Sequence, residues 1–279
     1  MLITILAGIL MLIILVVVHE YGHLWAAQRC GVGVEEFSVG FGPGIKIFQT
    51  KTYPIYFRFI PLGGYVKLKT RDLKKPISQG KNYEDANWLQ RIFICVAGIG
   101  FNLILAIIIR ILMYNFAPPD TQIKFLTMTI TFMQGPVWYL APIQAIKAVF
   151  GLFIQFYVGV LISIWYMVMP IINLAPVPHG GIGGTIGLGA NIHLGFWSYC
   201  GLIYFVSVIL AALNLFPLLP FDGGQIVLSI FGRIFGEKSR AYKIIGLAVN
   251  YLGMVILIIL LLNVVMSDLF DIFTKLKGG

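Results

Sequence analysis

Charge is scarce in this chain. Of its 279 residues only 11% are charged and 59% are hydrophobic, far more apolar surface than a soluble core of that length can bury. That balance excludes a soluble globular enzyme and implies a multi-spanning membrane protein. Cysteine is nearly absent too. Cys30, Cys95 and Cys200 are odd in number and lie in or beside apolar segments, which leaves neither a disulfide framework nor a thiolate zinc site. The first apolar run has no basic stretch before it and no small-x-small site after it, so a cleaved secretory leader is not expected. The net charge of +9 does not call for nucleic acid, because the basic residues are clustered: 11 Lys/Arg against 5 Asp/Glu between Arg29 and Arg91. Such a cluster reads as a cytoplasmic segment under the positive-inside rule, with anionic membrane lipid as its partner.

What the chain does have is a metal-binding pattern at the end of a membrane span. Met1 to Val18 is apolar except for Thr4 and Gly8 and as a helix would cover about 27 Å, roughly a hydrocarbon core. It runs into His19-Glu20-Tyr21-Gly22-His23. Histidines four apart share one helix face and can share one Zn²⁺, with Glu20 beside them to take a proton from an attacking water. An H-E-x-x-H pattern alone is a modest signal, and a histidine pair is often only a polar patch. Ionisable residues at the end of an apolar span, however, are costly and mark function.

Along the chain, we expect an α-helical membrane fold with four core spans at 1–30, 92–114, 199–222 and 244–266. A membrane-associated β-hairpin region covers 34–69, where short β-branched and aromatic runs (Ile45 to Phe48, Tyr53 to Ile60, Tyr65 to Leu68) alternate with Gly and Pro turns. Its open edge could hold an extended substrate by strand addition, or the hairpin could merely pack on lipid. Gly98, Gly100 and Asn102 give the second span small residues for close packing and one amide that needs a partner. Residues 137–172 are read as an additional interfacial or partly inserted helix, interrupted by Pro142, Lys147 and Gln155; one span or two tight spans are the other readings. The run from His179 to Gly189 is rich in glycine but has no βαβ setting for a nucleotide loop, so its glycines are read as small-xxx-small helix contacts. Arg233 to Lys243 reads as a second cytoplasmic loop.

A catalytic zinc takes three protein ligands and leaves one position open. Candidates for the third are Asp222, His179 and His193. Asp222 is favoured, because it ends its span beside a basic loop, as His19 and His23 do, and because Pro217 and Pro220 forbid a regular helix just before it. Unwound backbone at membrane depth is tolerated where it lines a site.

Taken together, His19-Glu20-Tyr21-Gly22-His23, Gly40-Phe41-Gly42-Pro43, Gly63-Gly64-Tyr65, Gly100-Phe101-Asn102 and Asn214-Leu215-Phe216-Pro217 leading to Phe221-Asp222-Gly223 resemble the site-2 protease family of intramembrane zinc metalloproteases. The nearest branch is the bacterial regulator-of-sigma-E type. The resemblance implies one zinc held by His19, His23 and Asp222, Glu20 as catalytic base, a membrane-reentrant hairpin that meets substrate, and Asn214 helping to hold substrate or orient the site; Asn102, Gly42 and Tyr56 are further expected substrate contacts. It further implies a single intramembrane metalloprotease domain over 1–279, in a bacterial cytoplasmic membrane with its site near the cytoplasmic face. Its substrates would be transmembrane segments of other proteins, such as membrane-bound signalling proteins or signal-peptide remnants. Two features depart from the family pattern. Phe221 stands where Leu is usual, and the interval from Asn115 to Gly135 is too short for the PDZ domain of that branch, which leaves substrate selection open. A metal transporter and a catalytically dead binding protein are the rival readings. The first would need further ligands along a polar route, and the second is at odds with the intact His19, Glu20, His23 and Asp222.

Overall fold

The computed structural model describes residues 2–74, 76–118, 122–125, 128–131, 141–173, 195–255 and 258. Among the described residues three helices are long and apolar enough to cross a membrane: 24 residues at Leu6–Arg29, 29 at Trp88–Phe116 and 19 at Phe196–Asn214. With the hairpin described below they define a helical membrane protein. At 1.5 Å per residue even the last spans about 28 Å. A helix is the natural form for such runs, since it satisfies every backbone group within the segment.

The chain divides into two compact units, the first formed by Met1–Ala106 with Val206–Asn250. In it, α1 (Leu2–Arg29) stops where the sequence predicts. Gly31 adopts φ 71°, and the Val32 amide reaches back to the Ala27 carbonyl at 2.9 Å, a Schellman ending that favours glycine. The chain then enters β1 (Val34–Gln49) and β2 (Pro54–Leu68), an antiparallel pair. Both are longer than the separate short runs read from sequence, and both bend. Ser38 faces Tyr65 and also Tyr56, and Tyr56 faces Ser38 and also Lys46. The sheet therefore reads in four segments: 64–68, 34–39, 55–58 and 44–49. At its outer edge Ile45, Ile47 and Phe48 are exposed, an apolar fringe suited to lipid. A core of Leu24, Ala27, Val34, Phe37, Ile94 and Ala97 ties α1, the sheet and the start of α2 (Trp88–Phe116) together.

The first unit also takes in the last part of α4 (Phe196–Asn214), which ends before Pro217, and α5 (Asp222–Phe235), which begins at the predicted carboxylate. Arg233 thus lies on a helix, where a loop was expected; further residues at 240–255 are also helical. The second unit, Ile107–Phe205 with Tyr251–Gly279, holds a small hairpin of β3 (Gln122–Phe125) and β4 (Met128–Thr131) and the long α3 (Ala141–Asn173). The expected interruptions of α3 do not break it. Pro142 is its second residue, where a missing N–H has no intrahelical partner to lose. The glycine-rich stretch, with His179 and His193, lies outside the described residues.

Candidate metal centre

His19 and His23 project from α1 toward α2, and the approach is close because two glycines permit it. A Cβ on Gly22 would lie 2.5 Å from the Ala97 carbonyl oxygen, and one on Gly98 would lie 3.0 Å from His19 Cε1 and clash with the His23 ring. The two imidazoles stand edge to face with centroids 4.7 Å apart. Their Nε2 atoms are 3.1 Å from each other, and each is 3.2 Å from Asp222 Oδ2.

Those three edges test whether a metal fits. Ligands at about 2.0–2.1 Å in a tetrahedral shell lie about 3.3–3.4 Å apart, close to the triangle observed. His19, His23 and Asp222 are also the one group with metal-ligand character among the described residues. Asp222 Oδ2 is buried and lacks an aligned hydrogen-bond donor, although both imidazoles are within 3.2 Å. The nitrogens thus converge beside it, as donors sharing an ion do, and two nitrogens with one carboxylate oxygen suit zinc.

Each ligand is steered from behind. The Ile94 carbonyl lies 2.8 Å from His23 Nδ1; a carbonyl only accepts, so Nδ1 carries the proton and Nε2 keeps its lone pair for the centre. Asn102, fully buried, places its amide 3.3 Å from His19 Nδ1, and its own backbone carbonyl accepts the Ser207 hydroxyl at 2.8 Å. Asp222 reaches the site because the Leu215–Phe221 loop folds back on the start of α5. A side chain on Gly223 would strike the Phe216 carbonyl.

Glu20 is fixed by the sheet. The Val66 backbone lies beside its carboxylate, and Gly64 packs so tightly that a Cβ there would lie 3.3 Å from Glu20 Cγ. Segment 64–68 therefore meets Glu20 along the edge turned away from β1.

The remaining expected site residues lie elsewhere. Gly42 and Tyr56 belong to the hairpin, where Arg58 stacks over the Tyr56 ring at 5.0 Å and donates to the Gly42 carbonyl at 2.7 Å and to Ser38 at 2.9 Å. Arg58 is ion-paired with Glu36, which also accepts from Tyr65 at 2.8 Å. Asn214 turns its amide to the Leu210 carbonyl of its own helix at 3.0 Å. Asn102, expected to touch substrate, is fully buried with its amide 3.3 Å from His19 Nδ1. The sequence reading missed Ile94 and Val66, which act through backbone atoms and leave no side-chain signal. It also missed Glu35, whose buried carboxylate accepts from the Ile77 amide at 2.6 Å and from the Ser78 amide and hydroxyl at 3.1 and 2.5 Å. Burial opposes its charge, but the Ser78 and Ile77 donors prevail and hold its carboxyl below the ordinary value of 4.5.

Helices long and apolar enough to cross a membrane, with two donors on the first of them meeting a third at the start of α5, define a membrane metalloprotein. The comparisons make this particular. The family model described as Peptidase family M50 matches residues 7–260, and the chain belongs to that family, as the motifs implied. It is similar to the regulator of sigma E protease of Haemophilus influenzae, 40% identical over 117 residues that make up 41% of this chain and 26% of the relative. Protease RseP of Yersinia pestis is 37% identical over 119 residues, 42% and 26% of the two chains. The alignments thus cover about a quarter of the length of these curated relatives.

Proposed function

We propose that this protein is a zinc-dependent intramembrane endopeptidase that cuts transmembrane segments of other membrane proteins. The observation that carries the reading is the convergence of His19 Nε2, His23 Nε2 and Asp222 Oδ2 within 3.2 Å of one another, one residue away from Glu20. In this reading His19, His23 and Asp222 hold the metal. Zinc bound there supplies a Lewis acid that brings the pKa of water toward about 7 and polarises a carbonyl. Glu20, beside the Val66 backbone, accepts the proton of the attacking water and returns it to the departing amine nitrogen.

A helical substrate hides its carbonyls in its own hydrogen bonds, so it must unwind before cleavage. The edge of segment 64–68 lies beside Glu20 and offers replacement backbone partners by strand addition. Gly42 and Tyr56, tied to Arg58, shape the hairpin that meets the substrate, and Asn214 adjoins the unwound loop that delivers Asp222.

The architecture we propose is one intramembrane protease domain with four core spans, the last at 244–266. It lies in a bacterial cytoplasmic membrane with the centre near the cytoplasmic face, which the basic residues between Arg29 and Arg91 favour. Asp222 meets a centre set at the cytoplasmic end of α1, so an even number of crossings separates α2 from α4, and α3 is interfacial or partly inserted. Membrane-bound signalling proteins and signal-peptide remnants are the substrate classes, in regulated intramembrane proteolysis.

The test uses purified protein and a model transmembrane substrate. Glu20→Gln should abolish cleavage with zinc retained, whereas Asp222→Ala should lose both. Near-normal turnover by Glu20→Gln would overturn the mechanism.

A further inference from the structure

The two histidines have the same need and are served differently. For Nε2 to face the centre with a lone pair, Nδ1 must carry the proton and must find an acceptor. His23 has the Ile94 carbonyl at 2.8 Å. Among the described residues, the hydrogen-bond partner at the back of His19 is Asn102, fully buried, with Nδ2 drawn 3.3 Å from Nδ1 and Oδ1 buried without a partner among those residues. In that orientation the amide donates to Nδ1, which places the ring proton on Nε2 and turns it into the triangle of donors. Such a proton would occupy the position a metal needs.

An amide's oxygen and nitrogen exchange by a half-turn, and their assignment follows the hydrogen-bond network. Turned over, Asn102 offers its oxygen to His19 Nδ1–H, and the lone pair of Nε2 is freed. The fold holds the residue where this can happen, since the Ser207 hydroxyl donates to the Asn102 backbone carbonyl at 2.8 Å and anchors that turn of α2.

We propose that Asn102 is the positioning residue that sets the His19 tautomer: its side-chain oxygen accepts the Nδ1 proton when the centre is loaded, making His19 competent as a ligand. This assigns Asn102 a task distinct from substrate contact. It rests on the metal reading above.

The experiment measures zinc affinity of the detergent-purified full chain by chelator competition, with folding followed by tryptophan fluorescence. Asn102→Leu, which cannot accept, should weaken zinc binding by about 10- to 100-fold, the usual cost of losing an outer-shell partner. Asn102→Asp, which presents only acceptors, should restore affinity to within a few-fold of the parent, a rescue that simple packing would not give. On the parent, ¹⁵N-histidine NMR of the zinc-loaded protein should show His19 protonated at Nδ1; this needs no variant to fold. Parent-like affinity in Asn102→Leu, failure of Asn102→Asp to rescue, or a proton on His19 Nε2 would each overturn the proposal. A parent that binds no zinc would instead overturn the metal reading, and this inference with it.

Discussion

Replacing Gly98 with alanine adds one methyl group at the place where α2 passes the histidine pair. Its Cβ would lie 2.5 Å from His23 Cε1 and 3.0 Å from His19 Cε1. Ordinary contact begins near 3.4 Å, so the His23 ring must retreat by about 0.9 Å, the difference between 3.4 and 2.5. It cannot simply swing aside, because its Nδ1 is held by the Ile94 carbonyl on the same helix. Relief therefore requires parting α1 from α2, an overpacking cost of about 1–3 kcal/mol. Metal-ligand distances tolerate only about 0.2 Å, so the donor triangle opens beyond what zinc accepts. The expected result for Gly98→Ala is zinc affinity reduced by about 10- to 100-fold, with cleavage falling in parallel. Zinc per mole of protein after dialysis against graded chelator reads the effect. Gly100→Ala is the control: it lies two residues along the same helix, and its Cβ would meet nothing within 4 Å. Parent-like zinc retention in Gly98→Ala, or an equal loss in Gly100→Ala, would refute the reasoning.

Val66→Pro removes a backbone N–H beside the Glu20 carboxylate and should lower turnover by at least about tenfold while zinc content is unchanged; loss of zinc instead would mean that the segment supports the metal-holding side chains and not Glu20. The lowered Glu35 carboxyl contributes stability that is present above its ordinary value of 4.5 and is lost as pH falls through its lower folded value. Thermal melts of the parent should therefore weaken below pH 4.5, and Glu35→Gln should be destabilised by about 1–3 kcal/mol at neutral pH and lack that acid-sensitive component. Cysteine labelling from each side of the membrane should find Lys238 inside and Thr121, Gly180 and Gly279 outside; Thr121 and Gly180 on opposite faces would refute the proposed topology. Glu237→Ala frees Arg91, which it pairs at 2.5 Å, and should lower thermal stability by less than about 1 kcal/mol because Glu237 is half exposed.

Residues whose spacing carries chemistry were the most legible. His19 and His23 share a helix face by arithmetic alone, and Asp222 stood out because Pro217 and Pro220 break the helix before it. The end of the first span, expected at residue 30, is matched by α1 ending at Arg29, where Gly31 supplies a conformation that other residues resist. What escaped was contact made through backbone. Nothing in the side chain of Ile94 or Val66 announces that its backbone will lie against His23 or Glu20. The length of β1 and β2 escaped as well, because the glycines that punctuate 40–44 and 63–64 bend the strands without ending them. The start of α5 was obscured by Gly223 and Gly224, poor helix formers that are needed where the preceding loop lies against them. Asn102 was legible as an amide needing a partner. That the partner would be a ligand histidine depended on which residue of α1 faces α2 at that level.

The break between α4 and α5 explains how a carboxylate comes to lie at the centre at all. Had the helix continued from Asn214, Asp222 would lie about 12 Å farther along its axis. Prolines stop it, and at membrane depth the freed backbone must find partners of its own. It does so locally. The Phe216 amide donates to the Leu213 carbonyl at 3.0 Å, Leu218 to Phe216 at 2.8 Å, Phe221 to Leu218 at 3.0 Å and Gly224 to Phe221 at 3.1 Å. The loop is thus a string of turns that consume their own donors, compact enough that Gly223 lies against the Phe216 carbonyl with no room for a side chain. Asp222 is left as the first residue of α5, where the helix dipole favours a negative charge. The Asp-Gly-Gly sequence therefore serves two demands at once, a carboxylate facing the histidines and a backbone thin enough for the loop behind it.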